Sequence, residues 1–322
     1  MGKLNVNLAD NHTLELRITA NRSDNILYPS SRMDARYDDS NLYTLKYTAL
    51  NLAEFSKKLE LQAYKTDVDH PMDTRFRMSG ATTYVTNHLT TDTLGAKIMN
   101  SFDALDTKFV LGVDASQRNW DGKYYNSVGM DLGKSINDTD TKNRAMFLQS
   151  TRELSKTFQL DMNLRYDNTK ITNGGALRKN SYNTLGGNVI ATYSPSDSTK
   201  YFVGIGQASR VPDARELYNL GRLMDGNQAL IGIPTLKKVT NREIDLGAEH
   251  SFDFGKIKSK IFYSDLKDYI YYNNNARINR FENIDATIYG LELSGAYYIN
   301  DQFTLDAAYA WKKGRKDKPL ND

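Results

Sequence analysis

The sequence predicts an all-β protein, an antiparallel transmembrane β-barrel. Three observations carry that expectation. Many segments alternate apolar and polar residues without a fault, the connections fall into a short class and a long class, and aromatic residues gather beside the short ones.

The alternation is clearest in Phe158-Gln159-Leu160-Asp161-Met162-Asn163-Leu164-Arg165-Tyr166-Asp167. Neighbouring side chains of a strand point to opposite faces, so one face here is apolar and the other polar. The same pattern puts Leu14, Leu16 and Ile18 against Glu15, Arg17 and Thr19, and Leu59, Leu61 and Ala63 against Glu60 and Gln62. It recurs at Phe109 to Ala115, at Ile244, Leu246 and Ala248, and at Phe303 to Trp311. There are roughly 15 such segments of about 8 to 12 residues, the length of a tilted membrane-crossing strand. One short helix is expected, from Asp213 to Leu220 after Pro212.

Short turns are expected at Ala9 to His12, Ser155 to Thr157, Ser194 to Thr199, Asp253 to Lys256 and Asn300-Asp301. Long polar loops are expected at Asn21 to Asn41, Gln117 to Thr141, Thr169 to Ser181, Gln207 to Thr240 and Asn273 to Glu282. Tyr193, Tyr201, Phe252, Phe254, Tyr297, Tyr298 and Phe303 flank the short turns, where an interfacial girdle lies in a membrane barrel. A soluble sandwich or fibre shaft shares the alternation but not the three features together.

Composition narrows the function. The 322 residues include 21 tyrosines, 6 prolines and no cysteine, so neither disulfides nor thiolate metal sites arise within the chain. A net charge of +3, with the charges dispersed, does not point to nucleic acid. The low mean hydropathy is compatible with a barrel whose inner face is wet. Gly204-Ile205-Gly206 lacks the third glycine and the βαβ setting of a dinucleotide site. The run Asp138-Thr139-Asp140 lacks the glycine and glutamate of a calcium loop. No catalytic triad pattern is present, and no enzyme activity is expected.

Tyr201 to Tyr218, with Arg210-Val211-Pro212 and Glu216-Leu217-Tyr218, resembles the barrel signature of TonB-dependent receptors. Thr240 to Gly247, Phe262 to Ile270, and Phe281 to Ala286 followed by Gly290-Leu291-Glu292 resemble the next strands of that family, in the same order. The resemblance implies a bacterial outer-membrane receptor that captures a ligand at its outer mouth and works with the TonB energy-coupling complex through a plug segment. Family barrels have 22 strands. Residues 1–322 are therefore expected to be a partial barrel domain without signal peptide, plug or last strands, unable to close or transport alone.

Within the family, Ser31 to Ala35, Tyr37 to Tyr43 and the His70-Pro71-Met72-Asp73 loop resemble the copper-receptor branch. That resemblance implies that His70 and Met72 are the barrel's ligands to a transported copper ion, meeting soft ligands from the plug. Thioether suits Cu(I), and imidazole suits copper in either oxidation state. Two positions apart in an extended segment, both can face one way. Asp67, Asp69 and Asp73 are expected to draw cations toward the mouth. His12, His88 and His250 are read as turn or strand-end residues. The alternatives are a receptor for a siderophore or other metal chelate, and a passive porin-like barrel.

Overall fold

The computed structural model describes residues 1–29, 31–77, 83–221, 229–274 and 279–317. Fourteen strands form one antiparallel sheet in strict chain order. They are β1 (Gly2–Ala9), β2 (His12–Ile26), β3 (Asp34–Ala53), β4 (Ser56–Asp73), β5 (Val85–Ala104), β6 (Thr107–Asn126) and β7 (Asp131–Ser155). The series continues with β8 (Phe158–Thr172), β9 (Asn180–Ser196), β10 (Thr199–Arg210), β11 (Val239–Phe252), β12 (Gly255–Asn274), β13 (Asn279–Asn300) and β14 (Phe303–Lys316). Among the described residues, β1 pairs only with β2 and β14 only with β13.

Register shows how the alternation becomes a wall. Val6, Leu14, Tyr47, Leu61, Ile98, Val113, Met146, Tyr166 and Leu185 are directly paired from β1 to β9. One residue along, the paired row reads Asn5, Glu15, Lys46, Gln62, Lys97, Asp114, Ala145, Asp167 and Thr184. The first row is apolar and faces lipid. The second is polar and faces the lumen, where Lys46 meets Glu60 at 3.1 Å and Arg165 meets Asp114 at 2.7 Å. Phe158, Met162 and Leu164 stand exposed and pack against no second sheet, which removes the sandwich reading. No helix among the described residues is long and apolar enough to cross a membrane.

Inside the wall, four aromatic rings lie over a glycine paired directly with them: Tyr64 over Gly95, Phe147 over Gly112, Phe202 over Gly247 and Phe262 over Gly290. A Cβ at any of these glycines would enter the ring, so glycine is needed there for space.

The two ends differ as expected, but their boundaries move. Seven hairpins, at residues 10–11, 54–55, 105–106, 156–157, 197–198, 253–254 and 301–302, close in two residues each. Beside them the girdle is continuous in places: Phe158 to Tyr193 at 5.9 Å, Tyr193 to Tyr201 at 6.4 Å, and Phe254 to Tyr297 at 6.0 Å between ring centroids. At the other end two of the expected long loops are mostly strand. Gln117 to Thr141 is the top of β6 and β7, joined by residues 127–130 alone, and Asn21 to Asn41 is largely β2 and β3. Strands of up to 25 residues exceed what a membrane needs, so they project beyond it.

The connection from β10 to β11 remains long and folds back over the lumen. It carries the expected helix, α1 (Ala214–Tyr218), started by a capping box in which Asp213 receives the Arg215 N–H and Glu216 receives the Asp213 N–H. Leu217 and Tyr218 pack with Ile171, Leu236, Val239, Leu266, Ile270 and Ala286 in a small core at the mouth. The Arg210 guanidinium holds Glu216 in two bonds, at 2.8 and 3.0 Å. The Arg210 to Tyr218 signature is therefore structural.

Candidate functional site

His70 and Met72 lie in β4, not in a loop. The β4–β5 register is unbroken from Lys58 to Asp73, so facing is carried up the strand without a slip. Leu59 and Leu61 face lipid, hence Glu60, Gln62, His70 and Met72 face the lumen. The strand brings both predicted side chains to one face, two positions apart and near the long-loop end.

Pro71 lies between them on the opposite face. It has no N–H for the ladder, and it coincides with a break in β3–β4 pairing. Between Ala35 and Asp39, three residues of β3 stand opposite only two of β4. This bulge aims Asp38 at His70, with Asp38 Oδ2 3.6 Å from His70 Nδ1. Tyr28 meets the His70 ring edge-on at 6.3 Å between centroids. Asp38 thus stands just beyond hydrogen-bond reach of one ring nitrogen, the position from which a carboxylate orients a ligating histidine.

The flanking aspartates do not behave as expected. Asp67, Asp69 and Asp73 have the opposite parity to His70, and each is engaged. Asp67 binds Lys65 at 2.8 Å, Asp69 binds His88 at 2.5 Å, and Asp73 binds Arg75 at 2.7 Å. Burial, then the hydrogen bond to Asp69, push the Tyr37 phenol above its ordinary value. The acid beside His70 is Asp38, which the spacing did not reveal because a bulge selects it. Met33 and Ala35 are buried, and Asp34 holds Arg77 at 2.5 Å and the Tyr28 N–H at 2.8 Å. That stretch knits two connections together.

The other histidines are structural. His12 opens β2 and bonds Tyr47 at 2.7 Å, and His250, near the end of β11, bonds Thr199 at 2.7 Å. No group of three or more His, Asp or Glu side chains arranged to hold a metal occurs among the described residues. Nearby on the lumen face, Arg118 stacks over Trp120 at 5.3 Å and binds Asp213 at 2.7 Å. The Trp120 Nε1 is buried without a partner among the described residues.

A single-sheet wall, apolar outside and polar within, with two-residue turns at one end, defines an outer-membrane β-barrel receptor. The chain belongs to the TonB-dependent receptor family: the family's model for the receptor-like β-barrel matches residues 3–322. Members of this family are bacterial outer-membrane transporters, not enzymes. Among solved structures, the copper transporter OprC superposes with a TM-score of 0.82 at 20% identity, covering 98% of this chain and 52% of its own. The FrpB iron transporter of Neisseria meningitidis gives 0.72 at 16% identity, covering 98% and 52%. The alcaligin outer-membrane receptor FauA of Bordetella pertussis gives 0.64 at 16%, covering 99% and 53%. The chain spans about half the length of each structure. No curated protein sequence matches.

Proposed function

We propose that this chain is the barrel portion of a receptor that captures copper at its outer mouth, with His70 and Met72 as the barrel's ligands. The observation that carries the reading is the shared lumen face of an imidazole and a thioether, with Asp38 beside Nδ1. Two ligands two positions apart on one strand meet the ion from one side, and a plug supplies soft donors from the other. Release inward then follows rearrangement of that plug by the TonB complex. The likeness to a copper transporter supports the same reading. The test is copper content. The full product of the gene, purified in detergent and loaded with Cu(I), is expected to hold stoichiometric copper, and His70→Ala/Met72→Ala to lose it. Equal copper in both, or none in either, would sink the proposal.

A second reading, capture of a metal chelate, draws on Arg118 stacked over Trp120, whose buried indole N–H has no partner among the described residues. Such a surface suits an anionic, partly aromatic ligand. Tight binding of a ferric chelate by a protein that ignores Cu(I) would favour it.

A further inference from the structure

On the lipid side of the wall, Lys142 of β7 is paired directly with Lys170 of β8. Both are exposed, as is Arg144, two residues below Lys142 on the same face. Directly paired residues stand about 5 Å apart, and like charges at that spacing destabilise a sheet. None of the three has an ion-pair partner among the described residues. Three other cations on the outer face are neutralised, Lys65 by Asp67 at 2.8 Å, Arg22 by Asp39 at 3.7 Å and Lys123 by Asp131 at 2.5 Å, whereas the outward Arg242, Lys313 and Arg315 have no ion pair among the described residues but are not paired cation to cation across strands. Asp140, two residues above Lys142, accepts the Gln117 amide at 3.0 Å instead. A further ammonium, that of Lys238, bonds the Asn183 carbonyl at the patch's edge.

The height of this patch identifies its partner. Along β8 the outward residues are Phe158, Leu160, Met162, Leu164 and Tyr166, then Asn168 and Lys170. Phe158 to Tyr166 spans about 26 Å of strand, which a tilt of roughly 40° turns into about 20 Å of height. The apolar band of such barrels is about 25 Å tall. Lys142, Arg144 and Lys170 therefore sit where hydrocarbon ends and outer-leaflet headgroups begin. The Tyr166 hydroxyl bonds Asn183 at 3.0 Å at the same level, as an interfacial tyrosine does.

We propose that Lys142, Arg144 and Lys170 form a docking site for the phosphate-bearing headgroup of an outer-leaflet lipid. The lipid's phosphates supply the charge that the Lys142–Lys170 pair lacks, and its chains lie against Met146, Leu164 and Tyr166. Over β3 to β5 the same zone carries the outward-facing Asp39, Asp67 and Asp92, with Arg22 and Lys65 already paired to the first two, so it offers an anionic headgroup no free cation pair such as β7 and β8 present.

The experiment is native mass spectrometry of the full product of the gene in detergent, titrated with diphosphorylated lipid A, with the same lipid dephosphorylated, and with inorganic phosphate. The protein is expected to retain one diphosphorylated lipid. Lys142→Gln/Arg144→Gln/Lys170→Gln is expected to bind it about 100-fold more weakly, taking about fivefold per cation. Dephosphorylated lipid should bind both proteins equally weakly. Lys65→Gln, on the same outer face but over the acidic zone, should bind like the unaltered protein. The heat-dependent gel shift of each variant verifies folding, and Lys170→Glu, which restores a charge pair with Lys142, gives a second route to the same loss. Undiminished binding in a folded triple variant, equal binding of dephosphorylated lipid, or displacement by phosphate at the lipid's own concentration would each overturn the proposal.

Discussion

His70 and His88 occupy adjacent strands, with His88 paired to Pro71, yet they face opposite sides of the barrel wall. His70 looks into the lumen beside Asp38, while His88 looks outward and binds Asp69. Two histidines that a contact map brings together are separated by a sheet. His70→Ala is expected to weaken Cu(I) binding at least about 100-fold, and His88→Ala to leave it unchanged. Competition with a Cu(I) chelator measures both. A His88 variant that loses copper as His70 does would mean that the facing is wrong.

The alternation on β8 makes a sharp contrast between neighbours. Met162 is the middle of five outward apolar positions, and Asn163 faces the lumen, where it bonds Asn188 at 2.7 Å. Met162→Arg is expected to cost about 2–4 kcal/mol, as a cation at the bilayer midplane does. Asn163→Arg should cost no more than about 1 kcal/mol, the value of a typical hydrogen bond. Guanidinium unfolding of the receptor in lipid vesicles distinguishes them, and similar costs at both positions would contradict a lipid-facing Met162.

Gly112→Val tests the ring-over-glycine pairs. A side chain there displaces Phe147, over which Lys97 and Arg165 both stack, at 5.0 and 5.8 Å. Overpacking of this kind costs about 1–3 kcal/mol. The expected result is a lower temperature for the heat-dependent gel shift, with partial recovery in Gly112→Val/Phe147→Ala. No recovery in the double variant would place the cost in the backbone instead.

The core over the mouth has an alkaline limit. Burial, with a smaller contribution from Tyr218, pushes the Tyr182 phenol from 10 up to about 12, and its hydroxyl donates to the Leu236 carbonyl at 2.8 Å. The raised value means that the folded state keeps a proton the unfolded segment gives up. This contribution is complete below pH 10 and is lost as the pH rises toward 12. Tyrosinate absorbance during a pH titration should show a late-titrating tyrosine that Tyr182→Phe removes. Ionisation of every tyrosine near pH 10 would count against the packing of this core.

Much of the wall was legible in the sequence because two-residue alternation survives wherever lipid covers one face. It fails where lipid ends. The tops of β6 and β7, around Gln117 to Thr141, lose the apolar outer row, with Gln117, Asn119, Asp121 and Lys123 in its place on β6, and so resemble loop, although the ladder continues through them. The candidate site was legible in part for a related reason. Spacing puts His70 and Met72 on one face, and β4 keeps that promise. Asp38 was hidden because three residues of β3 oppose two of β4 there, and no periodicity in either strand encodes a bulge. The acidic residues nearest in sequence, Asp67, Asp69 and Asp73, were misleading for the same reason that made the strands easy to see: odd and even positions belong to different worlds.

The seven two-residue turns have a consequence for how the wall assembles. Every pairing in the sheet joins chain neighbours, so apart from the long β10–β11 connection each new strand closes only a short stretch of chain, and the entropy of closure stays small at those steps. Growth can proceed one hairpin at a time, each turn setting its own register independently of the connections at the far end. Insertions or exchanges in those far connections leave the order of assembly untouched, so natural variation in what is recognised can accumulate there without putting the folding route at risk.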